Sequence, residues 1–459
     1  MKMNTSFLMS FSNLIKGFLL FSFLPTFAQQ SVETENIKPN IVLIMADDLG
    51  YGELSSYGSK KIQTPNLDKL ASQGIKFLDF HANGPLCSPT RAALMTGKYQ
   101  QRTGIEGVIT AANHRDVGLN LDEVTLADEL QRLGYTTAMF GKWHLGYAES
   151  FNPIYQGFNT FSGFVSGNID YHAHVDQEGY LDWWKNNNIE NEKGYSTDLI
   201  NDYGIQFIKK HNSNTTGKPF FLYLAQEAPH YPIQGRHDKP VREKGSKKYI
   251  RKVPKDSIQT IYEGMIETLD GTIGKLLNTL KNEGLEKNTI VIFCSDNGAA
   301  SSRGDNGVLR DYKASVYEGG HRVPAIMRYP GHFKAGTLNT TPILTMDILP
   351  TLLDFANATP TGKHVDGVSF KQHLVQGDSA PERNLFWVFR NKKAVRQGDW
   401  KLVKTIEDTV VTLDLFNLKV DLSETQDLSS SYPMRVQKMD KILTEWEQDV
   451  RSGAPTVAK

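Results

Sequence analysis

The chain has 459 residues, of which 39% are hydrophobic and 22% charged, a composition that excludes a largely disordered protein. Its length is too great for one small domain and suits a large core with a smaller partner. Lys and Arg together number 51, as do Asp and Glu, and the formal net charge of zero excludes a nucleic-acid binder that works through a broad basic surface. A local basic cluster inside a pocket is still compatible with these totals.

Lys2 and Lys16 are the only charges ahead of an apolar run over residues 17–27, and Thr26-Phe27-Ala28 offers a small-x-small cleavage site. Residues 1–28 are therefore expected to be a signal peptide, with the mature chain starting near Gln29 and exported to a periplasmic or secreted location. The alternative, a membrane anchor, needs roughly 20 apolar residues, more than this run supplies. No Cys lies near the cleavage site to carry a lipid, and no later stretch is long and apolar enough for stable membrane insertion. Only two cysteines are present, Cys87 and Cys294, and a disulfide between them stays open.

Residues 41–46 form an unbroken apolar run, the pattern of a strand buried on both faces of a parallel sheet, and the run ends at Asp47-Asp48. Thr64-Pro65 starts a helix that closes at Gly74. A strand is expected over 75–80. Pro89 sits where a first helical turn would begin after Cys87. Residues 125–133 suit a helix stopped by Gly134, followed by a strand over 135–140. Two more buried strands are expected over 220–225 and 289–294, with a long amphipathic helix over 258–282 between them. The segment 376–381 suits a linker; beyond it, 384–390, 393–396 and 400–405 suit short antiparallel strands, and 434–450 a terminal helix. This alternation predicts an α/β fold with a large central, mostly parallel sheet flanked by helices, and a smaller C-terminal α+β domain. The expected boundaries are 29–375 for the large domain and 382–459 for the small one.

Polar groups follow four of these strands. Asp47 and Asp48 follow the first; Lys142 and His144 follow 135–140; His230 follows 220–225; Asp296 and Asn297 follow 289–294. In open α/β sheets ligands sit beyond the carboxyl ends of the strands, so the four segments are expected to meet at one edge. Asp47, Asp48, Asp296 and Asn297 all offer oxygen, which suits Ca²⁺ or Mg²⁺ better than zinc.

Cys87-Ser88-Pro89-Thr90-Arg91, continued by Ala92-Ala93-Leu94-Met95-Thr96-Gly97, resembles the C-x-P-x-R-x-x-x-x-T-G signature of type I sulfatases, members of the alkaline phosphatase superfamily. Asp47-Asp48-Leu49-Gly50-Tyr51-Gly52 is similar to the family's N-terminal metal motif, and Gly141-Lys142-Trp143-His144-Leu145-Gly146 to its G-K-W-H-x-G motif. Ala228-Pro229-His230-Tyr231-Pro232, Ser295-Asp296-Asn297-Gly298, and Lys313 ahead of Tyr317-Glu318-Gly319-Gly320 match three more. The motifs run in family order across roughly residues 40–370.

The resemblance implies a sulfuric ester hydrolase with one calcium ion, Mg²⁺ being the less expected, held by Asp47, Asp48, Asp296, Asn297 and the modified Cys87. It implies that Cys87 is oxidised to formylglycine (3-oxoalanine) by a formylglycine-generating enzyme or an anaerobic maturase. The hydrated aldehyde then attacks sulfur, the alcohol leaves, and the sulfated intermediate collapses to release sulfate. By the same analogy Arg91 steadies the diol, Lys142 and Lys313 hold sulfate, His144 acts as base and His230 as general acid or sulfate ligand. The partner implied is a sulfated carbohydrate, a polysaccharide or oligosaccharide. Glu53 stands where many relatives carry Asp, and Cys294 precedes Ser295 where Thr is commoner.

Tyr171, His172, His174, Trp183 and Trp184 lie between motif blocks and suit either a sugar platform or core packing; Arg236 and His237 are weak candidates for a second anionic group. The rival enzyme, a phosphodiesterase or phosphonate hydrolase of the same superfamily, wants a second metal site with histidine ligands, and no His follows Asn297 closely. The rival from another class is a catalytically silent glycan-binding homologue.

Overall fold

In the computed structural model, which describes residues 38–300 and 303–458, the chain folds around a ten-stranded sheet. The expected signal peptide lies outside the described residues. In chain order the strands are β1 (Asn40–Ala46), β2 (Ile75–Phe77), β3 (Phe80–His81), β4 (Thr136–Lys142), β5 (Thr160–Phe164), β6 (Trp184–Lys185), β7 (Asn188–Ile189), β8 (Phe220–Ala225), β9 (Thr289–Ser295), β10 (Ala325–Arg328), β11 (Thr337–Asn339), β12 (Ile343–Leu344), β13 (Asn384–Phe389), β14 (Lys392–Gln397), β15 (Trp400–Glu407) and β16 (Val410–Asn417). The large sheet has the order β11-β2-β10-β9-β1-β8-β4-β5-β6-β7; β12 pairs with β3, and β13 to β16 form a separate antiparallel sheet.

The middle of the large sheet, β9-β1-β8-β4-β5, is parallel throughout. Antiparallel pairings are confined to its flanks, where β10 runs against β9 and β2 and the β6–β7 hairpin closes the other edge. The apolar runs are continuous because both faces are covered. Along β1, Ile41, Leu43 and Met45 enter one core with the Cys87–Thr96, Leu126–Arg132 and Ile348–Phe355 helices. Val42, Ile44 and Ala46 enter the opposite core with the Pro65–Ser72, Ser196–Lys210 and Ile258–Asn282 helices. Each wholly buried Val, Leu, Ile or Met among them stabilises the fold by roughly 1.5–3 kcal/mol. Thr125 caps the Leu126–Arg132 helix through a reciprocal pair of hydrogen bonds with Asp128.

One expected strand is divided. Instead of a single strand over 75–80, β2 and β3 lie in different sheets. The break falls at Leu78-Asp79, because the Asp79 carboxylate turns away to meet Arg396 at 2.6 Å and His81 at 2.7 Å.

The β13–β16 sheet and the Pro433–Arg451 helix enclose Trp387, Leu402 and Leu443 in a third core, which also takes in Ala93, Tyr99, Val316 and Met346. A buried polar network accompanies this contact. Lys401 Nζ lies 2.8 Å from Glu318 Oε1 and 2.9 Å from Glu424 Oε1. Arg322 pairs with Glu318 at 3.1 Å, and His81 and His321 meet through Nδ1 at 3.0 Å. Asp79, Glu318 and Glu424 thus face Arg322, Arg396 and Lys401, so the charges balance. His81, Glu318 and His321 are close enough to suggest a metal site, but Lys401 stands 3.2 Å from His321 Nε2 and supplies the cation itself.

Candidate active site

The parallel register sets up the site. Ala46 of β1 is paired with Ser295 of β9, so the next residues, Asp47 and Asp296, leave the sheet side by side. Asp296 N–H donates to Ala46 O at 3.1 Å, and Asp48 N–H donates to Asp296 Oδ1 at 3.2 Å. Asp48 turns in the left-handed region, φ 64°, as does His144 beyond β4, φ 59°. Such backbone is costly for non-glycine residues and clusters at functional sites. Gly298 follows Asn297 because a Cβ there would lie 1.8 Å from Gly319 O. Two cis X–Pro bonds, Ala228–Pro229 and Tyr231–Pro232, flank His230.

Cys87 is the first residue of a ten-residue helix, where free backbone N–H groups favour negative charge. Its Sγ lies 3.5 Å from Asp47 Oδ1 and 3.2 Å from Lys313 Nζ. Lys142, the last residue of β4, donates to Asp47 Oδ2 at 2.6 Å. Lys313 also donates to Asp48 Oδ1 at 2.5 Å. Arg91, one turn along the helix from Cys87, reaches Asp296 Oδ2 through Nε at 3.1 Å and Nη2 at 2.8 Å, and its Nη1 donates to Lys142 O at 3.0 Å. Asn297 Nδ2 donates to Asp48 Oδ1 at 2.7 Å. His230 Nε2 is 3.7 Å from Asp48 Oδ2. The structure thus brings together all ten residues singled out for metal and catalysis. The two cysteines are both free, so no disulfide links Cys87 to Cys294.

The electrostatics are those of a dry, balanced cluster. Burial pushes the Cys87 thiol up to about 12, and Asp47 adds to this, so the unmodified side chain is a neutral thiol and a poor nucleophile. Burial disfavours charge on Lys142, yet Asp47 more than offsets it and holds the ammonium above its ordinary range. Lys313 is held up in the same way by Asp48. Burial works against ionised Asp48, but Lys313 and His230 bring its carboxyl below the usual range. Burial, with Lys142 and Arg91, pushes His144 well below the ordinary histidine value. Burial lowers His230 to about 3, with Lys142 and Lys313 outweighing part of the pull of Asp48.

The residues present fit a divalent cation. Ligand atoms of Asp47, Asp48, Cys87 and His230 lie within 4.8 Å of one another, and the buried Asn297 Oδ1 faces no hydrogen-bond partner. The donors are mostly oxygen, which matches a hard ion. Cys87 Sγ marks the place that the oxygens of a matured residue 87 would take.

The cluster forms the floor of a cavity of about 410 Å³ whose walls include Cys87, His144, His230, Lys313, Ile109 and Gly167. Two of those walls carry no motif. Ile109 O accepts from His144 Nε2 at 2.9 Å, which leaves His144 Nδ1 buried and unpaired. Gly167 lies against the same ring, where a Cβ would meet Nε2 at 2.7 Å. No pattern in the sequence points to either.

Apart from the half-buried Trp184, the aromatic segment resolves toward packing. Tyr171, His174 and Trp183 are fully buried; His174 stacks on Trp183 at 4.2 Å, and Tyr171 donates to His230 O at 2.8 Å, steadying that loop. His172 rests against Tyr195 and bonds Gly235 O. Arg236 is paired with Asp198 at 2.7 Å, and neither it nor the exposed His237 lines the cavity.

Among the described residues no helix is long and apolar enough to cross a membrane. Residues 39–358 match the family model Sulfatase, and residues 309–450 match N-sulphoglucosamine sulphohydrolase, C-terminal. The chain is 33% identical to an N-acetylgalactosamine-6-sulfatase of Rattus norvegicus over 388 residues, which cover 79% of this chain and 71% of that protein. It is 32% identical to a sulfatase of Formosa agariphila over an alignment of 544 positions that covers 98% of this chain and 96% of the relative. The crystal structure of Ps i-CgsB in complex with k-i-k-neocarrahexaose is similar with a TM-score of 0.80 at 30% identity, covering 92% of this chain and 94% of that one. The mostly parallel sheet with helices on both faces is the alkaline phosphatase-like architecture of these enzymes, whose family implies a metal ion and formylglycine. With a family model spanning residues 39–358, this chain belongs to the sulfatases, hydrolases of sulfuric esters.

Proposed function

We propose that the enzyme desulfates a carbohydrate, a sulfated polysaccharide or its oligosaccharide fragments, using formylglycine made from Cys87 and one Ca²⁺ bound by Asp47, Asp48, Asp296, Asn297 and residue 87. Mg²⁺ suits the site less, since it demands tight octahedral geometry and keeps its waters. The observation that carries the reading is the convergence of three carboxylates and three cations around residue 87, which itself lines the cavity together with Lys313, His144 and His230. The carbohydrate part is supported by relatives named for N-acetylgalactosamine-6-sulfate and by the similar structure that holds a neocarrahexaose. Export through the 1–28 signal peptide, and maturation by a formylglycine-generating enzyme or anaerobic maturase, belong to the same proposal.

When present, the hydrated aldehyde of residue 87 supplies a nucleophile for sulfur, and the divalent ion supplies the charge that activates it and makes an otherwise balanced pocket net positive. Lys142 and Lys313 hold the sulfate, and as fixed ammonium groups they favour the transition state, in which negative charge grows on the sulfate and leaving oxygens. Arg91 locks Asp296 and underlies residue 87. His144, its Nε2 committed to Ile109 O, presents the Nδ1 lone pair as a base, and burial keeps that ring neutral and ready. His230 pairs its Nδ1 with Tyr231 O at 2.7 Å and turns Nε2 toward Asp48. Negative charge on a bound sulfate favours its protonated form, which can then serve the leaving oxygen as an acid.

The test joins two measurements on protein from a host that matures sulfatases. Mass spectrometry of the peptide containing residue 87 should show formylglycine, and a panel of defined sulfated oligosaccharides should lose sulfate. An unmodified thiol with glycan binding and no turnover would leave a silent binding protein instead, and turnover of phosphodiesters or phosphonates alone would move the enzyme to the rival class.

A further inference from the structure

The reaction cavity does not stop at residue 87. Tyr147 and Asp176 line it on one side and also line a second hollow of about 330 Å³. We propose that this second hollow is a subsite for a neighbouring sugar residue that carries its own anionic group, sulfate or carboxylate, with Arg115 as the residue that reads it. The proposal rests on the sulfatase reading above and adds to it the requirement for two consecutive units of an acidic glycan.

The surfaces suit a sugar. Tyr180 is 58% exposed, and Trp184 and Tyr147 are half-buried, so aromatic faces are available to the C–H faces of a pyranose. The charges suit an anion. The carboxylates of this hollow, Asp176 and Asp182, are buried and occupied by donors of the chain itself. Asp176 Oδ1 accepts from the backbone N–H of Glu178 and of Tyr180, and Asp182 accepts from Val165 N–H, Ser166 N–H and Trp184 Nε1. Of the charged groups lining this hollow the two that reach solvent, Arg115 and Lys244, are both positive, with Arg115 also in reach of the buried Asp176.

Arg115 is also held in place. Its guanidinium lies 4.5 Å from the Tyr180 ring centre and 5.6 Å from that of Tyr147, with Asp176 Oδ2 at 3.5 Å, yet its side chain is 46% exposed. A guanidinium stacked on aromatic faces loses little further freedom on binding and keeps its in-plane N–H groups for a planar or tetrahedral oxyanion. The wall between the two hollows is fixed to the catalytic side as well. Tyr147 Oη accepts from Gly167 N–H at 3.3 Å, and Gly167 packs on His144. The spacing between the sulfate being cleaved and the second anion is therefore set by the fold.

The experiment uses the matured, calcium-loaded enzyme and matched disaccharides with the scissile sulfate on one unit. The neighbour carries a hydroxyl, a second sulfate or a carboxylate, and 4-nitrophenyl sulfate is the small reference. An acidic neighbour should raise kcat/KM about tenfold over the neutral one, mainly through KM, as one charge-assisted contact would. The better of the sulfate and carboxylate arms identifies the natural group. In Arg115→Ala that gain should disappear, and in Lys244→Ala it should shrink, each read as a ratio between substrates on one preparation so that any loss of folded protein cancels. Equal kcat/KM for neutral and acidic neighbours, or a gain that survives Arg115→Ala, overturns the subsite while leaving the sulfatase reading intact. Failure to hydrolyse any sulfate ester, 4-nitrophenyl sulfate included, removes both.

Discussion

Asn297 reaches across 249 positions of sequence to donate its Nδ2 to Asp48 Oδ1 at 2.7 Å, and the same amide leaves its buried oxygen without a partner. A polar atom so placed is costly unless something binds it. Asn297→Ala should therefore weaken calcium binding by about tenfold or more. The check is the calcium dependence of the melting temperature, since an ion that binds only the folded state raises it. An unchanged calcium response would remove Asn297 from the ligand set.

Cys87→Ala should abolish turnover while the chain stays folded. The thiol is buried and neutral, and alanine fills the start of the helix without leaving a new unpaired polar group. Circular dichroism and a melting curve within a few degrees of the parent should accompany the loss of aryl sulfate hydrolysis. Residual activity at the parent level would overturn the nucleophile assignment.

Lys142→Met should cost stability as well as activity. Lys142 and Asp47 are both fully buried at 2.6 Å, and removing one partner of such a pair costs about 3–5 kcal/mol because the other charge is stranded. Calcium bound at Asp47 would take over part of that compensation. The loss in unfolding free energy should therefore be larger in chelator than in calcium, and equal losses in the two buffers would argue that no cation binds there.

Glu53 offers a pH test away from the proposed ligands. Burial pushes its carboxyl up to about 8, against the opposing pull of hydrogen bonds from Gly50 N–H and Tyr262 Oη. The folded chain thus keeps this proton through a window, from about 4.5 to 8, in which the unfolded chain has lost it. The contribution of Glu53 to stability is full below that window and falls as pH rises through it. Urea titrations of Glu53→Gln at several pH values from 5 to 8 should show a flatter pH dependence than the parent. Parallel curves would mean that Glu53 is ionised in the folded state.

Much of the site was legible because its parts are short and local. The apolar runs now seen as β1, β8 and β9 end where polar residues begin, and a parallel sheet brings such ends together. The strand expected over 75–80 was not so simple, since Asp79 pairs with Arg396, on a sheet more than 300 residues away in sequence, and no local pattern announces that. By residue type Tyr171, His174 and Trp183 suited core packing more than a sugar platform, and their burial bears that out. Arg115 and Tyr180 carry no motif at all. Their stacking exists only because two loops meet beside β6.

The balanced set of charges under the C-terminal sheet limits how the enzyme can be cut. Arg396, Lys401 and Glu424 come from after residue 380, while Asp79, Glu318 and Arg322 come from before it. A gene stopped at that point would leave Asp79 and Glu318 without two of their three counter-ions and would strip away the sheet that covers them, five residues along the chain from Lys313 in the case of Glu318. Truncation there should therefore cost folding and activity together, because the core that the small sheet closes also holds Ala93 of the helix that starts at Cys87.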